Sequence, residues 1–188
     1  MKVILLDHTP NPEELIGKFA AICYDSNTSK EACLRRAKSC KDKGHLATLR
    51  FAYATFRVED ISRAASHQLV RSKHLDYLQE SQRYVENKEP SFVYPPGHSK
   101  DFEAIYDQCY MTYKKLLALG YKKEDARYVL PNATTTSLNV TGNFQAWLDF
   151  INLRSGKEVQ WEIREVALEI HRQLASIAPL IFGDKDDH

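Results

Sequence analysis

The chain has 188 residues, 43% of them apolar, which suits a single folded domain over 1–188 with a core of its own. Lys and Arg number 26 against 25 Asp and Glu, a net charge of +1, which argues against a broad basic surface for nucleic acid, so any anion site must be assembled locally. No apolar run approaches the roughly 20 residues of a membrane span, and a charge follows only four apolar residues after Lys2, so neither a membrane anchor nor a secretory leader is expected.

Residues 3–6 read as a short buried strand. Asn11-Pro12-Glu13-Glu14 is a helix start: asparagine can cap, proline suits the first turn, and the acids favour the positive end of the helix dipole. Leu15, Phe19, Ile22 and Cys23 keep helical spacing. Residues 24–44 are polar and lysine-rich, a short helix between loops that Gly44-His45 ends. The alternation over 48–58 predicts a strand, with Leu49, Phe51, Tyr53 and Thr55 on one face. Asp60 can cap a helix to about Val70, carrying Ile61, Ala65 and Leu69 on one stripe.

Pro90, Pro95, Pro96 and Gly97 make 86–100 a loop and the expected flexible segment. Residues 102–119 form an amphipathic helix with Phe102, Ile105, Tyr106, Cys109, Tyr113, Leu116 and Leu117 on its apolar face, and Gly120 supplies the stop. A short helix over 124–130 ends at Pro131, and 134–140 is strand or extended loop. Two helices follow, over about 142–154 and 157–177, before a polar tail at 184–188.

Cys23, Cys33, Cys40 and Cys109 have no Cys-x-x-Cys spacing and read as reduced, mostly structural thiols of a cytoplasmic protein. His45, His67 and His74 lack metal-ligand spacing, so no metal site is expected. Ser81 has no His/Asp arrangement to make it a nucleophile, and a hydrogen-bonding role is the expectation. Arg71, Arg83, Arg127 and Arg154 come from four separate segments, and their guanidinium forks match phosphate and planar carbonyls. Singly each reads as a surface charge; together they can line an anionic pocket. Gln68 and Arg71, three apart, share a helical face, while Ser81 and Arg83, two apart, share a strand face. Asn143 and Arg154 lie eleven apart with Trp147 and Phe150 between them. That pattern suits a flat, partly polar ligand, although periodicity alone favours a core stripe with polar ends.

Several motifs carry a resemblance: Ser62-Arg-Ala-Ala-Ser-His-Gln-Leu-Val-Arg71, Gln79-Glu-Ser-Gln-Arg-Tyr84, Ala126-Arg127, and Asn143 followed by Arg154 and Gln160-Trp-Glu-Ile-Arg164. Over most of its length the chain resembles the flavin-dependent thymidylate synthases. The resemblance implies an α+β fold, an antiparallel sheet packed with long helices, in a homotetramer with active sites between subunits. It implies reductive C5-methylation of dUMP to dTMP with FAD, NADPH as reductant and methylenetetrahydrofolate as one-carbon donor. Gln68, Arg71, Glu80, Ser81, Arg83, Arg127 and Arg154 match the family's dUMP positions. Arg154 matches the catalytic residue that stabilises negative charge on the pyrimidine.

The resemblance also implies a flavin set of Cys23, Arg71, Ser72, Lys73, Gln79, Asn143, Gln145 and Asp149. Here the chain departs from the family pattern. Where the family has Arg-His-Arg-x-x-Ser, this chain reads Arg71-Ser72-Lys73-His74-Leu75-Asp76. Phe51 stands at the position of a flavin-contacting histidine, Gln79 at that of an acid, Gln145 at that of an arginine and Asp149 at that of an asparagine. Lysine lacks the guanidinium fork, and aspartate adds negative charge. The departures leave as alternatives a pyrimidine-nucleotide C5 hydroxymethylase, a UMP methylase, and a nucleotide-binding homologue without flavin.

Overall fold

The computed structural model describes residues 1–24, 26–86, 89 and 91–183. Its centre is a four-stranded sheet, all neighbours antiparallel, in the order β1 (Lys2–His8), β2 (Tyr53–Ser62), β4 (Thr135–Asn143), β3 (Leu75–Gln79). The two-residue side-chain period gives the sheet two unlike faces. Ala54, Phe56 and Val58 of β2 and Leu138 and Val140 of β4 are buried. Thr55, Arg57, Asn139 and Thr141 on the opposite face bond one another: Thr55 Oγ1 lies 2.8 Å from Thr141 Oγ1, and Arg57 Nε donates to Asn139 Oδ1 at 3.1 Å.

Helices α6 (Phe144–Arg154) and α7 (Trp161–Ile177) cover the apolar face. Trp147 and Phe150, read above as a ligand stripe or a core stripe, are core: Trp147 is fully buried, packs edge-on against Phe56, and donates its indole N–H to the Ala54 carbonyl. Asn143 is the N-cap of α6, its Oδ1 accepting from Ala146 N at 2.9 Å, and Gln160 caps α7 through Ile163 N. Helix α1 (Pro12–Ala20) crosses α2 (Lys30–Asp42) at Gly17, where an added Cβ would lie 1.9 Å from the Cys33 carbonyl oxygen. Only glycine permits that approach.

Several expectations are corrected. Strand β1 runs from Lys2 to His8 at the sheet edge and is half-exposed. Asn11 precedes α1 in the left-handed region and makes no side-chain cap. The alternating stretch over 48–58 divides: Leu46–Phe51 is a 3-10 segment, closed by Ala52 N donating to Leu49 O, and the strand begins at Tyr53. Asp60 does not cap α3 (Arg63–Leu69); it sits at φ 57 in a β2 bulge, and Ser62 is the cap, accepting from Ala65 N. Ser62 is fixed by Glu162 of α7, whose carboxylate accepts from the Ser62 N–H and hydroxyl, both at 2.6 Å.

Ser81 and Arg83 share no strand; β3 ends at Gln79 and a turn follows, in which Arg83 N donates to Ser81 Oγ. The helix expected over 124–130 splits into α5 (Lys123–Ala126) and a 3-10 turn, Arg127–Val129. Helix α4 (Lys100–Ala118) forms and stops at Gly120 with φ 89, yet of its apolar face only Tyr113 is buried, with Phe102 and Ile105 exposed. A four-residue helix, α8 (Pro179–Phe182), closes the chain. The polar tail at 184–188 and part of the loop expected over 86–100 lie outside the described residues; within that loop Phe92 bridges Thr134.

Candidate active site

Strand β3 organises the candidate residues. It is five residues long, so its ends are roughly 13 Å apart at the usual rise per residue. Leu75 pairs with Gly142 at one end and Gln79 with Leu138 at the other.

At the Leu75 end stands the turn carrying Arg71, Ser72 and Lys73. Arg71 and Lys73 are exposed. The turn is held from beneath by Tyr77, whose hydroxyl lies 2.8 Å from the Leu69 carbonyl and 3.2 Å from that of Ser72. Burial pushes the Tyr77 phenol up to about 12. His74 leaves the turn at φ 63. Gly142 adjoins it, since a Cβ there would meet Leu75 Cδ2 at 2.2 Å. Asn143 follows directly, and Tyr53 pairs with it across β2. Gln145 joins the neighbouring 3-10 segment, where its Oε1 accepts from Arg50 Nε at 2.7 Å. Phe51 of that segment meets Phe19 edge-on at 5.3 Å between centroids. These two rings help line a cleft of about 490 Å³ with Ile22, next in the chain to exposed Cys23. Arg71, Ser72, Lys73, Asn143, Gln145 and Cys23 thus gather at one end of the sheet.

Arg154 ends α6 and reaches the last turn of α3, donating from Nη2 to the Gln68 carbonyl at 3.4 Å. Its Nε is buried without a partner among the described residues, as is Ser72 Oγ. Buried polar atoms left unbonded are costly; here one sits next to Arg71 in the chain and the other on the side chain that bonds Gln68, so both have bonding capacity to spare beside the motif residues. Asp149 lies exposed on α6.

At the Gln79 end the turn carries Glu80, Ser81 and Arg83. Arg83 Nε pairs with Glu124 Oε2 at 2.6 Å, and its guanidinium lies 5.4 Å from the Tyr84 ring centroid. Arg127 Nε donates to the Glu124 carbonyl at 3.0 Å. Gln79 does not face the flavin positions of the other end: its amide donates inward to Ser66 Oγ at 2.9 Å and Thr136 Oγ1 at 3.2 Å. Arg127 instead lines a polar cleft of about 320 Å³ with Arg63, His67, Gln82 and Asn132.

Arg63 was absent from the sequence-derived set. A signal for it exists, since Arg63 and His67 are four apart and share one face of α3. Glu162 also escapes local reading because it acts on a backbone segment a hundred residues away, and Tyr77 because its role is to brace the preceding turn rather than to face a ligand.

The arrangement is that of an α+β protein with guanidinium groups on two sides of one short strand and buried, unbonded polar atoms beside it. Residues 4–180 match the family model described as thymidylate synthase complementing protein. A flavin-dependent thymidylate synthase of Geobacter sulfurreducens is 41% identical over 98% of this chain and 86% of its own length. Enzymes of the same name from Mycobacterium tuberculosis (H37Rv) and Mycobacterium avium are each 40% identical over 76% of this chain and 66% of their own. The chain belongs to the thymidylate synthase complementing protein family.

Proposed function

We propose that the protein catalyses the reductive methylation of dUMP at C5 to give dTMP, as a flavin-dependent thymidylate synthase acting in the cytoplasm. The observation that carries this reading is Arg154, beside Gln68, with a buried Nε that no group among the described residues satisfies. A guanidinium held against the N3–C2 carbonyl edge of uracil stabilises negative charge on the ring and raises the nucleophilicity of C5. No covalent attachment through a cysteine is then required. Gln68 and Arg71 flank that position, while Ser81, Arg83 and Arg127, with Glu80 beside them, supply the phosphate end.

The residues at the Leu75 end fit a flavin in chemistry. Phe19 and Phe51 offer aromatic walls, Arg71 and Lys73 offer cations for a diphosphate, and Ser72 offers an unbonded hydroxyl. Asn143 keeps its amide N–H groups free of the capping bond, and Cys23, Gln145 and Asp149 border the same side. FAD supplies redox and one-carbon transfer chemistry when bound, with NADPH as the electron source and methylenetetrahydrofolate as the donor. The phosphate and flavin residues lie at opposite ends of β3 in one chain. That separation supports the family-like reading in which complete sites are shared between chains of a homotetramer, for which exposed Leu78, Tyr84 and Tyr128 are available for contact.

The test combines spectrum and product. Purified protein, reconstituted with FAD, is expected to show oxidised-flavin absorbance and to convert dUMP, with NADPH and methylenetetrahydrofolate, to a product heavier by one methylene unit. A hydroxymethyl product, turnover of UMP in place of dUMP, or stabilisation by dUMP with no response to FAD would each replace this reading by one of its alternatives.

A further inference from the structure

Two guanidinium groups face the cleft at the Gln79 end, and only one of them, Arg127, belongs to the motif-derived site. Arg63, half-buried, is held by neutral acceptors: Nη1 lies 3.1 Å from Thr136 Oγ1 and 3.3 Å from the Glu80 carbonyl. Among the described residues no carboxylate forms an ion pair with it. Thr136 Oγ1 also receives the Gln79 amide, so a neutral network of Gln79, Ser66 and Thr136 supports the guanidinium from below. Burial, then the charge of Arg127, draw the Arg63 guanidinium below its ordinary range, with Glu80 acting in the opposite sense. Among the described residues Arg127 is tied through Nε alone, to the Glu124 carbonyl, while the Glu124 carboxylate is engaged by Arg83. The like charges of Arg63 and Arg127 therefore repel across a solvent-open cleft whose other walls include His67, Gln82 and Asn132. An oxyanion between them turns that repulsion into two charge-assisted contacts.

We infer that Arg63 is a phosphate-binding residue, which with Arg127 forms a two-guanidinium clamp for a phosphate monoester within a single protomer. The inference rests on the proposed nucleotide reading for the identity of the ligand and on the cleft alone for its charge class. Gln79 has a part in the clamp: a neutral amide beneath Arg63 leaves its charge free for the ligand, where a carboxylate would compete for it.

The test is calorimetric titration of the flavin-loaded protein, and of Arg63→Met and Arg63→Lys, with dUMP, deoxyuridine and inorganic phosphate. Loss of a charge-assisted contact is expected to weaken dUMP binding by about ten- to a hundredfold in Arg63→Met. The lysine variant is expected between Arg63→Met and the parent, since it keeps the charge and loses the fork. Deoxyuridine affinity should be unchanged in both variants, and dUMP affinity in Arg63→Met should depend less steeply on ionic strength.

Unchanged dUMP affinity in Arg63→Met would overturn the inference, and so would equal losses for dUMP and deoxyuridine, which would make Arg63 a structural residue. If the parent protein binds inorganic phosphate through Arg63 but neither dUMP nor deoxyuridine, the clamp stands and the nucleotide reading falls. If it binds none of the three, both fall.

Discussion

Removing the Glu162 carboxylate should unsettle the site from a distance. Glu162 is 3% exposed and accepts two hydrogen bonds of 2.6 Å, from the Ser62 main-chain N–H and hydroxyl. Ser62 in turn caps α3 through Ala65 N, and α3 carries Arg63 and Gln68. Hydrogen bonds to a charged group are worth about 1.5–3 kcal/mol each, and Glu162→Ala also strands a buried N–H, so a loss of about 3–5 kcal/mol is expected. For a chain of this size each kcal/mol lowers the melting temperature by roughly 2–4 °C, giving a drop of about 6–20 °C. Urea denaturation of the parent, Glu162→Ala, Ser62→Ala and the double variant completes a cycle. A coupling above about 1 kcal/mol is expected, because both substitutions remove the same contact. A Glu162→Ala protein within 1 kcal/mol of the parent would refute the reasoning.

Gly17→Ala places a methyl 1.9 Å from the Cys33 carbonyl oxygen, a main-chain atom that cannot swing aside, so α1 and α2 must part; a loss of at least about 1–3 kcal/mol should appear in urea denaturation. Burial raises the Glu13 carboxyl, partly offset by the Leu180 and Ile181 N–H groups. Its folded value thus exceeds its unfolded one, and the associated stability is full below the ordinary carboxylate range and lost as pH rises through the raised value. Glu13→Gln should remove that slope when denaturation is compared from mildly acid to neutral pH. Tyr77 titrates at about 12, so its contribution is full below about 10 and lost as pH climbs through 12. Tyr77→Phe should cost about 1 kcal/mol at neutral pH, loosen the Arg71–Lys73 turn, and delete a late-titrating phenol from an alkaline absorbance titration.

Long periodic elements were legible in the sequence. Helices α4, α6 and α7 and strand β4 stand close to where spacing, glycine stops and caps put them. The departures have tertiary causes. The stretch over 48–58 alternates like a strand throughout, but within its 3-10 portion Leu49 alone is buried, and only Tyr53 onward finds a partner strand. Asp60 and Ser62 are equally good caps by composition; the choice is made by Glu162, a hundred positions away, which no local pattern contains. The apolar stripe of α4 was visible, but its exposure was not, because periodicity shows a face and not what covers it. The arginine set emerged through motif likeness, yet Arg63 stood out only when the fold set it beside Arg127.

Because β3 separates the Arg71 turn from the Arg127 cleft, damage to one leaves the other whole in the same polypeptide. Two crippled preparations, Arg71→Ala and Arg127→Ala, each inert alone, should recover turnover once unfolded together and allowed to reassemble. Under the proposed sharing of sites between chains, hybrid oligomers would unite the undamaged half of one chain with the undamaged half of its neighbour, and a gene carrying either lesion could be rescued by an allele carrying the other.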